Sequence, residues 1–375
     1  MFIWEQERWP HFEWDRARLT KPLAEARHKQ GLLLGQMGSL GFRLKEEALL
    51  NTLTQDVLKT SEIEGEKLDP DQVRSSIARR LGMDIAGLVP ADRNVEGVVE
   101  MMLDATRNYN QPLTQDRLFG WHAALFPTGR SGMTKIIVGG WRDDRNGPME
   151  VVSGPVGRER THFVAPPANR LEAETSSFLQ WFNASDQDLD LVLKAGIAHL
   201  WLVTLHPFED GNGRIARAVA DMALARSENS SQRFYSMSSQ IRLERKDYYD
   251  ILENTQRRSL DVTEWLEWFL GCFSRAIDGA QETLQAVMKK AHFWERLATQ
   301  ALNERQALML NKLLDGFEGK LTTSKWAKIC KCSQDTAYRD ISDLMQRGIL
   351  QKEEAGGRST SYVMTDISRI GQSSV

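Results

Sequence analysis

The stretch "HLWLVTLHPFEDGNGRIARAVADMALA", residues 199–225, decides how the chain is read. An apolar helical run stops at His206, Pro207 and Phe208. The eight residues from His206 to Gly213 form a polar and glycine-rich connection, and a second amphipathic run begins at about Arg214. Gly211, Asn212 and Gly213 stand just before that second helix. Unpaired backbone N–H groups and the helix dipole favour an anion there, and two glycines let the backbone approach it closely. Asp210 is a hard oxygen ligand suited to a phosphate-bound Mg2+, while Arg214 and Arg217, three apart, project from one helix face. His206 adds the side chain whose unperturbed pKa of about 6.5 suits a general base near neutral pH. Singly, each has a plainer reading: a structural histidine, a common turn, an Arg217–Asp221 pair one helical turn apart. Gathered within the twelve residues 206–217, they describe a phosphate site equipped for proton transfer.

A second stretch, "LLNTLTQDVLKTSEIEGE" at 49–66, breaks its own pattern. Leu50, Leu53, Val57 and Thr60 trace one helical stripe, and the next place on it is Glu64, where packing predicts a leucine. Gly65 follows, so the carboxylate is delivered at a helix tip.

The run from His206 to Arg217 resembles the Fic family signature, H-x-F-x-[D/E]-G-N-G-R-x-x-R, at every specified position. That resemblance implies a mainly α fold, with a Fic helical core carrying a short β-hairpin flap. It also implies transfer of AMP from ATP to a protein hydroxyl. His206 would deprotonate a target Ser, Thr or Tyr, Asp210 would hold Mg2+, and the Gly211–Gly213 backbone with Asn212 would line the anion hole. Arg214 and Arg217 would hold the phosphates, and Phe208 would anchor the loop. Tyr248 and Tyr249 would lie near the adenine, with Asn254 as a polar contact; the plainer reading has one tyrosine in the core and one solvated. Thr161, His162 and Phe163 resemble the flap on which a target could add a strand. Thr60-Ser-Glu-Ile-Glu64-Gly65 resembles the family's inhibitory pattern, [S/T]-x-x-x-E-[G/N]. This implies that Glu64 pairs with Arg217 where the ATP γ-phosphate should lie, giving a self-inhibited enzyme. In some members the same glutamate helps water remove AMP, so a de-AMPylating phosphodiesterase is an alternative, as is a transcription regulator using the ATP site as a sensor. Transfer of UMP, phosphate or phosphocholine also occurs on this fold.

Composition bounds the rest. The chain has 375 residues, 41% hydrophobic and 26% charged, with formal net charge -3, which argues against a protein built to coat nucleic acid or an acidic membrane. Cys272, Cys330 and Cys332 form neither an even disulfide framework nor a C-x-x-C knuckle, and a reducing cytoplasm fits best. The N-terminus lacks the regions of a signal peptide, and no apolar run is long enough for a membrane span. We expect an N-terminal helical region at 1–108 with Asn94 capping its last helix, and a catalytic core at 109–275. The extended runs "KIIVGGWRDD", "MEVVSG" and "THFVAPP" interrupt that core. A connecting helix at 276–302, a winged helix-turn-helix-like module at 303–366 and a tail at 367–375 complete the chain. In the module, Thr323 or Ser324 and Ser333 are expected as caps, and Gly356-Gly357 as a hairpin turn. Its ten cations against eight acids from 303 to 365, with Asp335, Asp340 and Asp343 on the third helix, disfavour DNA. A docking role, homodimerisation included, is the favoured reading.

Overall fold

The computed structural model describes residues 1–365, apart from residues 40, 84–86, 155–157, 159, 186–187, 299, 315–316, 318 and 354–359. The expected Gly356-Gly357 turn and the tail lie outside the described residues. The elements in chain order are α1 (Arg16–Ser39), α2 (Phe42–Ile63), α3 (Pro70–Leu81), α4 (Arg93–Arg107) and α5 (Gln115–Leu125). Two-residue strands β1 (Arg130–Ser131) and β2 (Thr134–Lys135) precede β3 (Glu150–Ser153) and β4 (Arg160–Val164). Then come α6 (Leu171–Asn183), α7 (Leu191–Leu205), α8 (Asn212–Glu228), α9 (Met237–Leu243), α10 (Arg245–Gln256) and α11 (Thr263–Arg296). Last are α12 (Glu304–Leu314), α13 (Thr323–Ile329), α14 (Gln334–Gln346), β5 (Leu350–Lys352) and β6 (Tyr362–Met364). The architecture is mainly helical, and each pair of strands is an antiparallel hairpin.

The chain divides into two units, residues 1–281 and residues 282 onward. The boundaries expected at 108/109 and 275/276 therefore do not separate bodies. The N-terminal helices share the first unit with the core, and α11 runs unbroken from Thr263 past residue 276. In the first unit α7 is the central element. Thirteen of its fifteen residues are buried, as expected of a helix that is apolar on every side. It packs on α8, and Gly196 brings it so near α11 that an added Cβ would lie 3.1 Å from the Phe269 ring.

The stripe on α2 is buried as its spacing predicts, with Leu50, Leu53, Val57 and Thr60 at 5% exposure or less. Asp56 on the same helix accepts from the Ser236 hydroxyl (2.5 Å) and the Ser238 N–H (3.3 Å), fixing α2 to the start of α9. Helix α4 is capped by Asp92, whose side chain accepts from the Val95 N–H at 2.9 Å, and not by Asn94, which falls inside the first turn.

Of the three extended runs, two form strands. "MEVVSG" supplies β3 and "THFVAPP" supplies β4, in register with a bulge at Val151/Val152. "KIIVGGWRDD" contributes Lys135 to β2 and is otherwise irregular, because side chains and the Pro207 carbonyl satisfy its backbone. The Ile137 N–H donates to Glu209 (2.6 Å), the Gly139 N–H to His122 Nδ1 (3.2 Å), and the Arg142 N–H to the Pro207 carbonyl (3.0 Å).

The second unit is built on Phe293, Met309, Leu310, Trp326, Ala337, Ile341, Leu344 and their neighbours. Thr322, one residue before the expected pair, caps α13, and Ser333 caps α14. Gly348, at φ +68°, follows the end of α14.

Candidate active site

His206 ends α7 in the left-handed region at φ +49°, a conformation that costs a side-chain-bearing residue about 1–2 kcal/mol. The fold holds it there through Arg142, a buried side chain that donates to the His206 carbonyl (2.8 Å) and to the Pro166 carbonyl (2.5 Å). His206 Nδ1 lies 3.2 Å from the Val203 carbonyl, which can only accept. Nδ1 therefore carries the proton and Nε2 keeps its lone pair. The ring lines a cleft of about 640 Å³ together with Glu64, Gly213, Tyr249 and the flap. Burial, aided by Arg142, pushes the His206 pKa down to about 4, against the opposing pull of the Val203 carbonyl, Glu64 and Asp210. The imidazole is neutral at physiological pH.

The loop after His206 is shorter than its polarity suggests, since α8 begins at Asn212. Gly211 caps it at φ +83°. Asn212 does not face an anion with its side chain: its Oδ1 accepts from the Phe208 N–H (3.0 Å) and its Nδ2 donates to the Phe208 carbonyl (2.8 Å). Phe208 is fully buried and stacks on His122 with ring centroids 4.2 Å apart. Burial keeps His122 neutral, with a pKa of about 4, and its Nε2 donates to the Asp210 carbonyl (3.2 Å). Phe208→Ala should lower unfolding stability by about 3–5 kcal/mol in denaturant titration, because it opens a cavity beneath the loop.

Both motif arginines are occupied by one short segment. Arg217 donates to Glu64 Oε1 (2.7 Å), to the Thr60 hydroxyl (2.8 Å) and to the Thr60 carbonyl (2.9 Å). Arg214 donates to Glu66 Oε2 at 2.7 Å. Asp221, the alternative partner one turn from Arg217, is instead paired with Arg233 at 2.6 Å. A Cβ on Gly213 would lie 2.2 Å from Glu64 Oε1, so the carboxylate rests directly on the first turn of α8, where the helix favours an anion. Arg245 fastens the tip of α2 by donating to the Ile63 carbonyl (2.9 Å). Gly65, at φ +87°, turns the chain so that Glu66 reaches Arg214. Among the described residues, Arg214 Nε and Arg217 Nη1 are buried donors with no hydrogen-bond acceptor, a capacity that phosphate oxygens would fill.

Asp210 stands half-buried beside the loop. Its carboxylate takes the Ser131 hydroxyl on one oxygen and the Gly211 N–H (2.6 Å) on the other. Among the described residues no group of three or more His, Cys, Asp or Glu side chains could cage a metal ion. A nucleotide-borne Mg2+ needs only one or two carboxylates plus phosphate oxygens, and one hard carboxylate beside an anion site fits that requirement.

Residues 112–224 match the family model described as Fic/DOC family. They are a Fic/DOC family domain. Residues 2–83 match a second family, described as a domain of unknown function, DUF4172, so Glu64 and Glu66 lie outside the Fic match itself. The Fic region is 33% identical over 127 residues to a uridine 5'-monophosphate transferase of Xanthomonas campestris, covering 31% of this chain and 21% of that protein. It is 31% identical over 116 residues to a protein adenylyltransferase Fic of Nematostella vectensis, covering 31% of this chain and 25% of that protein. The chain thus spans about a fifth to a quarter of the curated relatives it matches. The fold resembles that of a Fic family protein from Desulfovibrio desulfuricans, with TM-score 0.53, 19% identity, and coverage of 94% of this chain and 98% of that one.

Around the Fic domain's cleft, the remaining expected residues divide. Tyr248 is fully buried and its hydroxyl meets His199 Nε2 (2.9 Å), whereas Tyr249, 37% exposed, faces the cleft under Arg245. Asn254 is exposed and does not line the cleft; besides the tyrosines, the polar side chains of α10 that do are Arg245, Asp250, Glu253 and Gln256. A helix period explains this, because 249, 253 and 256 share a face that excludes 254. On the flap, Phe163 is buried, and His162 contacts Glu253 and Ser153 at 2.5 Å each. The Thr161 and His162 carbonyls accept from Arg257 (2.7 and 2.9 Å), which ties β4 to α10. Sequence reading missed Arg142, His122 and Gln256, whose roles depend on contacts across more than ten residues. Glu66 was missed as well, although it stands in the sequence as a carboxylate two places beyond Glu64.

Proposed function

We propose that this protein is a self-inhibited adenylyltransferase that moves AMP from ATP to a Ser, Thr or Tyr hydroxyl of a target protein and of itself. The observation that carries the reading is a neutral His206 beside an α8 N-terminus whose anion site is filled by Glu64. His206 Nε2 takes the hydroxyl proton, the oxygen attacks the α-phosphorus, and pyrophosphate leaves. The α8 N–H groups with Arg214 and Arg217 stabilise the charge on the phosphates. Asp210 would hold Mg2+, which when bound offsets the triphosphate charge. The nucleotide base would enter beside Tyr249 and Gln256. With Glu64 in place, a γ-phosphate meets a carboxylate instead of a free arginine, so ATP binds unproductively.

Intact-mass analysis of the wild-type chain and Glu64→Gly after incubation with ATP, UTP and GTP in Mg2+ tests the proposal. The mass increment names the transferred group, and a relative named as a uridine 5'-monophosphate transferase makes UTP a necessary arm. An increment other than AMP would overturn the nucleotide assignment. Glu66 should contribute less than Glu64, because its side chain is 48% exposed and such pairs are worth about 0–1 kcal/mol. Glu66→Gln should therefore raise self-modification by no more than about five-fold.

Glu64 also supports a second reading, hydrolytic removal of AMP, since its carboxylate lines the same cleft as His206 and could orient a water. Loss of AMP from a modified target in Mg2+ without ATP would favour it. A transcription regulator that merely senses ATP would have no use for a neutral, cleft-lining histidine. Among the described residues no helix is long and apolar enough to cross a membrane.

A further inference from the structure

The second unit carries a surface that nucleotide transfer does not use. Counted along the chain, the acids of α14 oppose DNA, but the structure ties down two of the three, Asp340 and Asp343, and leaves Asp335 exposed. Asp340, 5% exposed, is held by Arg305 (2.8 and 3.1 Å) and by Asn303 (2.9 Å). Asp343 accepts from Arg347 (3.0 Å) and from Gln306 (2.7 Å). Both are paired with arginines. Gln334, Tyr338 and Arg339 remain exposed towards its start, with Asp335 as the exposed acid of the first turn. Beside them stand two more exposed cations, Lys328 on α13 and Lys331 in the four-residue connection between the helices.

Lys331 adds an independent observation. It sits at φ +49°, a conformation that glycine adopts freely and lysine does not. Glycine is common in such helix-helix turns, yet here the position supplies a cation.

We propose that the second unit binds double-stranded DNA, with the first half of α14 in the major groove and Lys328 and Lys331 on backbone phosphates. The second helix of such a pair places its N-terminal residues on base edges. Gln334 is suited to the N6 and N7 edge of adenine and Arg339 to the O6 and N7 edge of guanine. A duplex fits better than RNA, because the A-form major groove does not admit a helix. It fits better than a protein partner because the face is polar and cationic, with Tyr338 as its large exposed aromatic.

The test uses the full chain and a fluorescently labelled random-sequence duplex, the matching single strand, and a duplex enriched from the random pool by binding. Anisotropy is followed from about 50 to 200 mM salt, over which phosphate contacts weaken steeply. Expected is duplex binding that falls with salt. Lys331→Gly should weaken it several-fold and reduce the salt slope by about one, while thermal stability holds or rises because the strained φ is relieved. Arg339→Ala should weaken binding to the enriched duplex about ten-fold and relax preference at one base pair. Neither variant should change nucleotide transfer, so failure here is separate from failure of the adenylyltransferase reading. No binding at the lowest salt, equal binding of the single strand, or wild-type behaviour of both variants would overturn the proposal. So would a DNA-free chain whose sedimentation changes with Tyr338→Ala, since the face would then be a contact between copies.

Discussion

Glu64→Gly should raise the adenylyl group incorporated into the protein by about ten- to a hundred-fold over the wild-type chain at equal ATP. A hydrogen bond to a charged group contributes about 1.5–3 kcal/mol, and this one joins a carboxylate to an arginine that is 1% exposed. The substitution also empties the space over Gly213, where the carboxylate excludes any other anion. Arg217 keeps its two bonds to Thr60, so the helix tip should stay docked and the gain should come from the vacated phosphate position. A folded Glu64→Gly protein with an unchanged mass profile would remove the inhibitory role from Glu64. The catalytic assignment of His206 would stand apart from that result.

His206→Ala, made in the Glu64→Gly background so that activity is measurable, should lower transfer by about 10²–10⁴-fold. ATP affinity by calorimetry should change little, because the phosphate donors lie on α8 and not on the imidazole. Retained transfer would end the assignment of His206 as base. The pH profile gives a further check. A base must be unprotonated, and a pKa lowered to about 4 places the acid limb of kcat/KM near pH 4 rather than near 6.5. The sign for stability follows. Between about pH 4 and 6.5 the unfolded chain holds a proton on this histidine that the folded chain does not, so folding stability rises with pH through that window.

Much of the site could be read from the chain, because it lies in one loop and the helix turns around it. His206, Phe208, Asp210, Gly211, Gly213, Arg214 and Arg217 are near neighbours in sequence, and local geometry forces them to be near neighbours in space. Glu64 was legible for a different reason, since a charge in an apolar stripe must be compensated and implies a partner. Asn254 failed because its assignment came from chain distance alone, whereas the face of α10 turned to the cleft is fixed by helical phase and by the burial of Tyr248. Asn212 failed because a short amide next to a loop backbone finds partners there first, and Phe208 supplied both.

The sequence by itself determined the helical class, the glycine-flanked start of α8, the histidine expected as base, and the existence of an out-of-pattern carboxylate at the end of α2. These depend on periodicity, glycine placement and residue chemistry, all of which act over a few residues. Only the tertiary structure decided that a second carboxylate, Glu66, takes the other arginine, and that Arg142 and His122 hold the loop from afar. It also decided which charges of α14 face water. A sum along the chain counts Asp340 and Asp343 against DNA, but the field at a surface depends on which charges are paired beneath it. Packing against α12 buries Asp340 against Arg305 and turns Asp343 towards Gln306, leaving Arg339, Lys328 and Lys331 outside together with Asp335.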